Sequence, residues 1–273
     1  MKKLFFLAFM ALFLTYLLFY NSSENVDDIV QNTSMQSISN KNPHPTEVWQ
    51  TVNLQSVFSK MKEQQFSFSF DKTLLKENLA DESLEDFRFM LGVQDNELII
   101  ACLGILDDNT VSSVFQIGEL KAHNIDFKVT PEETIDVLDI ANNEIKKHVL
   151  NRDAAMRYLR QWDEAIHNSA SLENKVSENG TRYKYFTMDK EAIAFLINKD
   201  EVVSLELFFG VNDNNKITTV FLGQDKNGDI LLPNAQNIAL DFTKPCPSDC
   251  DPDGTGCCWW ICPDSWCPEN ISG

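Results

Sequence analysis

The sequence contains Leu205-Glu206-Leu207-Phe208-Phe209-Gly210-Val211, a polar turn over residues 212–216, and then Ile217-Thr218-Thr219-Val220-Phe221-Leu222-Gly223. Two apolar segments separated by a short Asn- and Asp-rich turn are typical of an antiparallel β-hairpin. A similar pair occurs earlier: residues 87–93 read Phe-Arg-Phe-Met-Leu-Gly-Val, and residues 98–104 read Leu-Ile-Ile-Ala-Cys-Leu-Gly after a turn through Asp95-Asn96. The sequence therefore predicts two related hairpins.

The resemblance between the two hairpins extends to the residues before them. A shift of 118 residues aligns positions 66–94 with positions 184–212 without a gap, and it places Gly92 on Gly210. One extra residue in the second turn changes the shift to 119, and Gly104 then falls on Gly223. Because a slip of one residue would invert both strand faces, the matched alternation favours an internal duplication.

Each copy has the same predicted elements. Phe66-Ser67-Phe68-Ser69-Phe70 alternates as a strand with one buried face does, and Asp71 then caps a short helix. Tyr183–Met188 and Asp189 play these parts in the second copy, which an amphipathic helix at about 153–168 precedes. The expected fold is α+β: two related units, each helix, strand, short helix and hairpin, in an antiparallel sheet with helices on one face.

Glycine is costly inside a strand, so Gly92 and Gly210 require an explanation. We expect the short helix to pack closely over each of them, in preference to a ligand. Arg88 and Glu206 are the polar members of the opposite strand face. Only the second copy is predicted to have the turn at residues 225–229 and to continue into a cysteine-rich tail, so that end is expected to carry the function.

The composition limits the classes of partner. The chain has 273 residues, of which 43% are hydrophobic, and a formal net charge of −18. Its length is enough for one or two domains with a hydrophobic core. Because such an acidic surface repels phosphates, and no basic stripe opposes it, nucleic acid is not an expected partner.

The N-terminal segment predicts export. Met1-Lys2-Lys3 is positive, and residues 4–20 form an uninterrupted apolar run, about 25 Å long as a helix. No small-x-small cleavage site follows it, which favours an uncleaved transmembrane signal anchor over a cleaved signal peptide that would leave a secreted protein. The expected location is the bacterial cell envelope, with the globular part exported (periplasmic or at the cell surface) from an inner-membrane anchor.

The predicted organisation has five segments. These are the signal segment 1–20, a flexible Asn- and Ser-rich tether 21–45, a first repeat 46–129, a second repeat 130–244 and a Cys- and Trp-rich tail 245–273.

The tail contains six of the seven cysteines: Cys246, Cys250, Cys257, Cys258, Cys262 and Cys267. An even cluster in a loop-rich exported segment favours disulfides. A zinc site is the alternative, but no pair has the Cys-x-x-Cys spacing of zinc ribbons. A thiol redox site lacks that spacing too.

Calcium is a second alternative for the acidic residues. Asp249, Asp251 and Asp253 begin like a calcium loop, but position twelve, where a bidentate Glu is needed, is Trp260. Asp225 and Asp229 offer oxygens in a segment that also has the composition of an ordinary turn. No cofactor is therefore predicted, with zinc or calcium as alternatives.

Catalytic motifs are absent from the sequence. The four histidines have no cysteine or carboxylate at a ligand or triad spacing, and there is no G-x-S-x-G, no H-E-x-x-H and no phosphate-binding glycine loop. An enzyme is therefore less expected than a binding protein, and no catalytic residue is assigned.

The second half resembles an uncharacterised family of bacterial envelope proteins over roughly residues 130–250. The resemblance rests on the helix with Trp162 and on these residues: Leu205–Gly210, Asp213, Lys216-Ile217-Thr218, Val220, Gly223, Asp225, Gly228-Asp229-Ile230 and the ending Pro245-Cys246-Pro247-x-x-Cys250. The extended tail after Cys250 departs from it. The resemblance implies no activity.

These observations predict a membrane-anchored envelope protein that acts as a binding or structural module. Its expected partners are the membrane, through residues 4–20, and another protein of the envelope. The alternative function is a metal-dependent protein that uses the Cys and Asp cluster of the C-terminal region.

Overall fold

The chain is seen in a computed structural model that describes residues 44–108, 110–125, 143–168, 171–234, 237–241 and 244–246. The described helices are α1 (Pro45–Thr51), α2 (Leu54–Phe58), α3 (Lys72–Leu79), α4 (Asn143–Lys146), α5 (Arg152–His167), α6 (Leu172–Val176) and α7 (Lys190–Ile197), and a 3₁₀ helix spans Ser59–Lys62. The described strands are β1 (Gln65–Asp71), β2 (Leu84–Gln94), β3 (Glu97–Leu106), β4 (Val111–Ile117), β5 (Glu119–His123), β6 (Val149–Leu150), β7 (Ser177–Glu178), β8 (Thr181–Arg182), β9 (Tyr185–Asp189), β10 (Ser204–Val211), β11 (Ile217–Gln224), β12 (Ile230–Leu231), β13 (Ala239–Leu240) and β14 (Lys244–Cys246). Helices combined with antiparallel sheets confirm the predicted α+β class.

Most strands belong to two sheets. Sheet A has the order β5-β1-β10-β11-β13-β6, with β12 beside β11, and sheet B has the order β14-β9-β2-β3-β4. The small hairpin β7-β8 stands apart. All strand pairs among the described residues are antiparallel, and the two predicted hairpins are β2-β3 in sheet B and β10-β11 in sheet A.

The sheets pack face to face through aromatic side chains. The ring of Phe89 in sheet B lies 5.4 Å from that of Phe70 and 4.8 Å from that of Phe221, both in sheet A. These residues belong to one buried cluster that includes the inward-facing residues of both hairpins. Aromatic pairs at this distance add to the free energy gained from burying their surface.

The two halves of the chain are interleaved between the sheets. Strand β1, from the first half, pairs with β10 of the second half, and β9, from the second half, pairs with β2 of the first. The registers correspond at the predicted shift of 118: the pair Ser67–Phe208 has its counterpart in the pair Tyr185–Met90. The segments 46–129 and 130–244 thus share both sheets, within one compact unit.

Further contacts obey the same correspondence. Lys72, at the start of α3, donates through Nζ to the carbonyl of Val202, and Lys190, at the start of α7, donates to the carbonyl of Leu84. Each lysine therefore reaches the residue near the start of the other half's hairpin. The last strands also exchange, since the chain passes from β4 in sheet B to β5 in sheet A at Gly118, and from β13 in sheet A to β14 in sheet B.

The turn at residues 225–229 is not unique to the second half, contrary to the sequence-based expectation. The amide of Asp225 donates to the carbonyl of Asp229 at 3.0 Å, and the amide of Leu106 donates to the carbonyl of Thr110 at 2.9 Å. These two pairs lie 119 residues apart, as the hairpin alignment requires. The expectation was wrong because the turn residues differ in type while the backbone closes in the same way.

Helix α5 covers part of the outer face of sheet A. Asn151 caps it by accepting from the amide of Ala154, and Leu159 packs against Phe208 within a second buried cluster. A Cβ on Gly210 would lie 3.0 Å from Cβ of Tyr158. A helix does pack over this glycine, as predicted, but it is α5 and not the short helix α7.

Within the described ranges, no helix is both long and apolar enough to cross a lipid bilayer. This finding corrects the prediction of a transmembrane helix that acts as a signal anchor. The residues on which that prediction rested, 4–20, lie outside the described part of the chain, as do most of the predicted tether and residues 247–273 of the predicted tail.

Candidate functional site

The most unusual polar group is the carboxylate of Glu206, on the outer face of sheet A. Its side chain is completely buried in the middle of β10. Three serine hydroxyls bind it: Ser67 donates to Oε2 at 2.5 Å, and Ser69 and Ser204 donate to Oε1 at 2.6 and 2.7 Å. Burial of a carboxylate is unfavourable unless its oxygens are bound in this way.

The strand register assembles these groups. Ser69 of β1 lies opposite Glu206 of β10, and Ser67 is two residues further along the same face of β1. The alternation Phe-Ser-Phe-Ser-Phe thus sends the phenylalanines to the inner core and the serines to the carboxylate. Because Ser67 is fully buried and Ser69 is 8% exposed, both faces of this strand are covered, and the expectation of one buried face was wrong.

Two basic side chains of β5 complete what we name the Glu206 cluster: Ser67, Ser69, Lys121, His123, Ser204, Glu206 and Gln224. Lys121 Nζ is 2.8 Å from Ser69 Oγ, and His123 Nε2 is 2.7 Å from Ser67 Oγ. Both basic groups are 3.8 Å from the carboxylate of Glu206. The side chain of Lys121 is 30% exposed and that of His123 only 8%, so the cluster reaches solvent chiefly at Lys121.

The donors in the cluster have a direction. The hydroxyl hydrogen of Ser67 is donated to Glu206, which leaves the Ser67 oxygen to accept from the ring of His123. In the same way, Lys121 donates to Ser69, which donates to Glu206. Two chains of hydrogen bonds therefore run from the basic groups through a serine to one carboxylate.

The environment of His123 disfavours its charged form. Burial lowers the pKa of His123 below its usual range, and the nearby Lys121 lowers it further, while the Glu206 carboxylate acts in the opposite sense. Because burial is the largest of these effects, the neutral ring is favoured at neutral pH, with its proton on Nε2 facing Ser67.

The cluster is connected to the turn at residues 225–229. Gln224 accepts from Lys121 Nζ at 3.2 Å and donates to the carbonyl of Gly228 at 3.0 Å. In that turn Asp225 Oδ1 accepts from the amides of Asn227 and Asp229 at 2.8 and 2.9 Å. The Asp229 amide is the main reason that the pKa of Asp225 lies below its usual range. The Asp225 carboxylate is therefore engaged in closing the turn.

The equivalent place on sheet B has a different chemistry. The shift of 118 places Arg88 where Glu206 stands and Tyr185 where Ser67 stands, and the Arg88 guanidinium lies over the Tyr185 ring at 4.3 Å. A cation stacked on an aromatic ring thus replaces a carboxylate bound by hydroxyls. The two halves therefore differ in charge at this matched position.

A narrow cleft opens beside the cluster, between α5, the 3₁₀ helix and β1. Leu159, Trp162, Phe66 and Phe208 are among the residues that line it, and the ring of Phe208 lies 5.3 Å from that of His123. Its volume is about 20 Å³. That space holds about one water molecule, far less than the volume of a small-molecule pocket.

The predicted site residues are placed as follows. Asp225 and Asp229 lie in the exposed turn, Cys246 is the last residue of β14, and Cys250, Cys257, Cys258, Cys262, Cys267, Asp249, Asp251 and Asp253 lie outside the described residues. In the described ranges, no three His, Cys, Asp or Glu side chains are arranged to hold a metal ion. The disulfide, zinc and calcium predictions for the tail stay predictions.

Sequence reasoning identified only Glu206 of the cluster, as the polar residue of an outer strand face. The serines at alternate positions of β1 could have indicated the other residues of the Glu206 cluster. Hydroxyls on the face opposite three phenylalanines require hydrogen-bond partners if that face is covered. No sequence pattern predicted that Lys121 and His123 belong to the cluster, because their strand β5 is positioned only by its pairing with β1 in the tertiary structure.

Comparison with known proteins adds no assignment: the chain matches no protein-family model, and neither a curated protein nor a solved structure matches it significantly. The resemblance to the envelope family therefore stays a prediction.

Proposed function

We propose that this protein is exported and acts as a binding or structural module and not as an enzyme. The observation that carries the proposal is the direction of the hydrogen bonds in the Glu206 cluster. In a nucleophilic serine the hydroxyl donates to the histidine that will accept its proton. Here Ser67 donates to Glu206 and accepts from His123, so the serine is held as a link between a base and a carboxylate.

The space around the cluster supports the same conclusion. Ser67 is completely buried, and the neighbouring cleft holds about one water molecule. A substrate carbonyl has no room beside the Ser67 oxygen in this arrangement. The cluster instead fastens β5 and β1 to β10, which are contributed by different halves of the chain.

The surface expected to contact a partner is the one where the copies differ. Lys121 is the cluster residue that reaches solvent, and it has an exposed acidic neighbour, Glu119, at 3.9 Å. Because the chain carries a net charge of −18, a basic side chain in an acidic surface is a distinctive contact point. A protein partner that places a carboxylate at Lys121 fits this arrangement.

A serine hydrolase is the competing function, and the 2.7 Å contact between Ser67 Oγ and His123 Nε2 is the observation that favours it. A fluorophosphonate probe separates the two, since it labels only activated serines. We expect no labelling of the folded protein. Labelling that disappears in Ser67→Ala, but persists in Ser56→Ala (a partly exposed control serine), would establish the hydrolase and refute our proposal.

The binding function has its own test. Full-length protein is expressed in its native cells, crosslinked and recovered, and the recovered proteins are compared with those obtained with Lys121→Glu and with the control Lys60→Glu, another surface lysine. We expect a reproducible partner that Lys121→Glu loses and Lys60→Glu retains. Loss with both variants, or recovery of no partner in repeated experiments, would count against the proposal.

The metal-dependent alternative is tested on the purified protein by elemental analysis together with thiol counting. We expect no bound zinc or calcium and tail cysteines that do not react before reduction. Bound metal with free tail thiols would favour the alternative over disulfides.

A further inference from the structure

The outer face of sheet B is buried without an apolar partner among the described helices. Met90, Ala101, Leu103 and Tyr185 form a cluster in which each residue is only 2–3% exposed. The half-buried residues packed against it, Ile99, Val111 and Phe115, also lie on the strands of sheet B. All the described apolar members of this cluster, which we name the sheet B patch, thus come from one sheet.

The equivalent face of sheet A shows what such a patch requires. The shifts of 118 and 119 match Met90, Ala101 and Leu103 to Phe208, Val220 and Leu222. Those three residues are covered by Ala155, Met156 and Leu159 from the first half of α5. A covering segment is therefore part of the architecture, and one copy obtains it from a helix that precedes its first strand.

Among the described residues, the first copy has no counterpart of that part of the helix. Its helix α1, which packs against β2, has only seven residues and begins at Pro45, with His44 as its cap. Pro43 and Pro45 prevent a regular helix from continuing towards the N-terminus. Residues 36–42 read Gln-Ser-Ile-Ser-Asn-Lys-Asn, with one large apolar side chain among seven. The segment that symmetry would place over the patch is thus too polar to cover it.

The C-terminal tail leaves the structure at the edge of this same face. The last described strand, β14, is the edge strand of sheet B, and its residue Cys246 pairs with Tyr185, a member of the patch. The 27 residues that follow include Trp259, Trp260 and Trp266. Trp259 comes 13 residues after Cys246, a span of up to about 40 Å when extended, whereas β3 lies three strand spacings from β14, about 15 Å.

Charge supports the same occupant. Residues 247–273 contain four Asp and one Glu and no Lys, Arg or His. The guanidinium of Arg88 stands beside the patch, over the ring of Tyr185. An acidic, tryptophan-rich segment suits a surface of aliphatic and aromatic side chains with an arginine beside it.

We propose that residues 247–273 fold back over the outer face of sheet B and that Trp259 and Trp260 pack on the sheet B patch. The tail then does for sheet B what the first half of α5 does for sheet A. Its aromatic side chains complete the core of the first copy and are not a surface for an external partner.

Photo-crosslinking of the full chain tests this placement. Phe115, a half-buried residue of the patch, is replaced by p-benzoylphenylalanine, and crosslinked peptides are identified by mass spectrometry. The matched control is the same replacement of Phe195, a half-buried residue of α7. We expect peptides from 247–273 to be crosslinked at position 115 and not at position 195.

A second probe, placed in the tail, tests the same contact without any replacement of Phe115. Trp260→p-benzoylphenylalanine should crosslink to the segment that contains residues 99–115. Crosslinks from position 115 to residues 1–43, to residues 126–142, to a second copy of the chain or to another protein would overturn the proposal. Its failure would leave the proposed function standing, since that rests on sheet A.

Discussion

At the scale of single residues, the molecule keeps the buried carboxylate of Glu206 at a position that the shift of 118 matches to the cation of Arg88. Burial of Glu206 is unfavourable by itself, and breaking one partner of such a cluster is commonly more harmful than replacing the whole cluster by apolar residues. Three hydroxyls and two basic groups compensate for the hydration that the Glu206 carboxylate loses on burial. The cluster therefore fixes the register of three strands that come from distant parts of the sequence.

Glu206→Gln is expected to lower the pKa of His123 further, because the Glu206 carboxylate is the nearby charge that raises it. NMR titration of the His123 ring measures the shift. Glu119→Gln removes an exposed carboxylate of the same strand and is the control, with little expected change. An unchanged or raised His123 pKa in Glu206→Gln would contradict the assigned electrostatics.

The stability of the native protein should fall in mild acid through the same residue. The pKa of His123 is lower in the folded chain than its value of about 6.5 in an unfolded chain. Protonation therefore favours the unfolded state: the stabilisation is present above about pH 6.5 and is lost as the pH falls through the folded pKa. Denaturant unfolding at several pH values checks this, and His123→Gln should remove that part of the dependence.

Asp189 is a second residue that acts differently from the residue matched to it by the shift of 118, Asp71. Asp71 caps α3 by accepting from the amides of Thr73 and Leu74, whereas the Asp189 carboxylate binds His148 at 3.0 Å and Lys147 at 2.7 Å. The hydrogen bond from His148 is the main reason that the pKa of Asp189 lies far below its usual range, with Lys147 adding to it.

We expect Asp189→Asn to reduce the free energy of unfolding at pH 7 by about 2 kcal/mol, since a charged hydrogen-bonded pair is lost. The depressed pKa means that this stabilisation is present above about pH 4 and is lost as the pH falls further. Asp71→Asn is the matched control and should cost only a few tenths of a kcal/mol, because Asn also caps helices. Equal losses in the two variants would show that Asp189 acts as a simple cap.

At the scale of elements, glycines mark where strands meet other parts of the chain. A Cβ on Gly104 would lie 2.6 Å from Asn78 Oδ1 and 2.8 Å from Leu84 Cδ1, so the short helix α3 packs closely there. At Gly210 the nearest atom would be 3.0 Å away, on α5. The short-helix packing that the sequence suggested for Gly92 and Gly210 is thus found at Gly104.

Gly104→Ala should destabilise the protein by about 1–3 kcal/mol through overpacking. Gly210→Ala should cost less, because its nearest contacts need to move by only a few tenths of an ångström. Chemical denaturation of both variants gives the comparison. A larger loss for Gly210→Ala would mean that α5 is held more rigidly than α3.

At the scale of the whole molecule, the interleaving of the two halves predicts how the chain folds. Each half contributes two strands to the sheet that contains the other half's hairpin. A fragment of residues 44–129 therefore lacks the partner that β9 provides for β2, and it exposes the inner phenylalanines.

We expect neither fragment 44–129 nor fragment 130–273 to fold as a monomer, and we expect the mixture to regain the native NMR spectrum. The two halves of the chain pair their strands in equivalent registers. An isolated fragment can therefore form a homodimer in which a second molecule of the fragment provides the missing strands. A folded monomeric fragment with dispersed amide signals would contradict the interleaved topology.

The sequence determined the local structure. Alternation and turn residues located both hairpins, and the shift of 118 anticipated the equivalent registers. Asp71 and Asp189 marked the starts of α3 and α7, and the apolar spacing placed α5 within about one residue. The common origin of the two copies stays a prediction that these registers support. Local patterns suffice here because strand parity and helix caps depend on neighbours in the sequence.

Only the tertiary structure decided which strands pair and which polar residues meet. No local pattern states that β1 lies against β10 and not β2, since both are apolar strands of compatible parity. That exchange brings Ser67, Ser69 and Glu206 together across nearly 140 residues and adds Lys121 and His123 from β5. The candidate site is a consequence of pairing between distant strands, which depends on the total buried surface of the fold and not on any one segment.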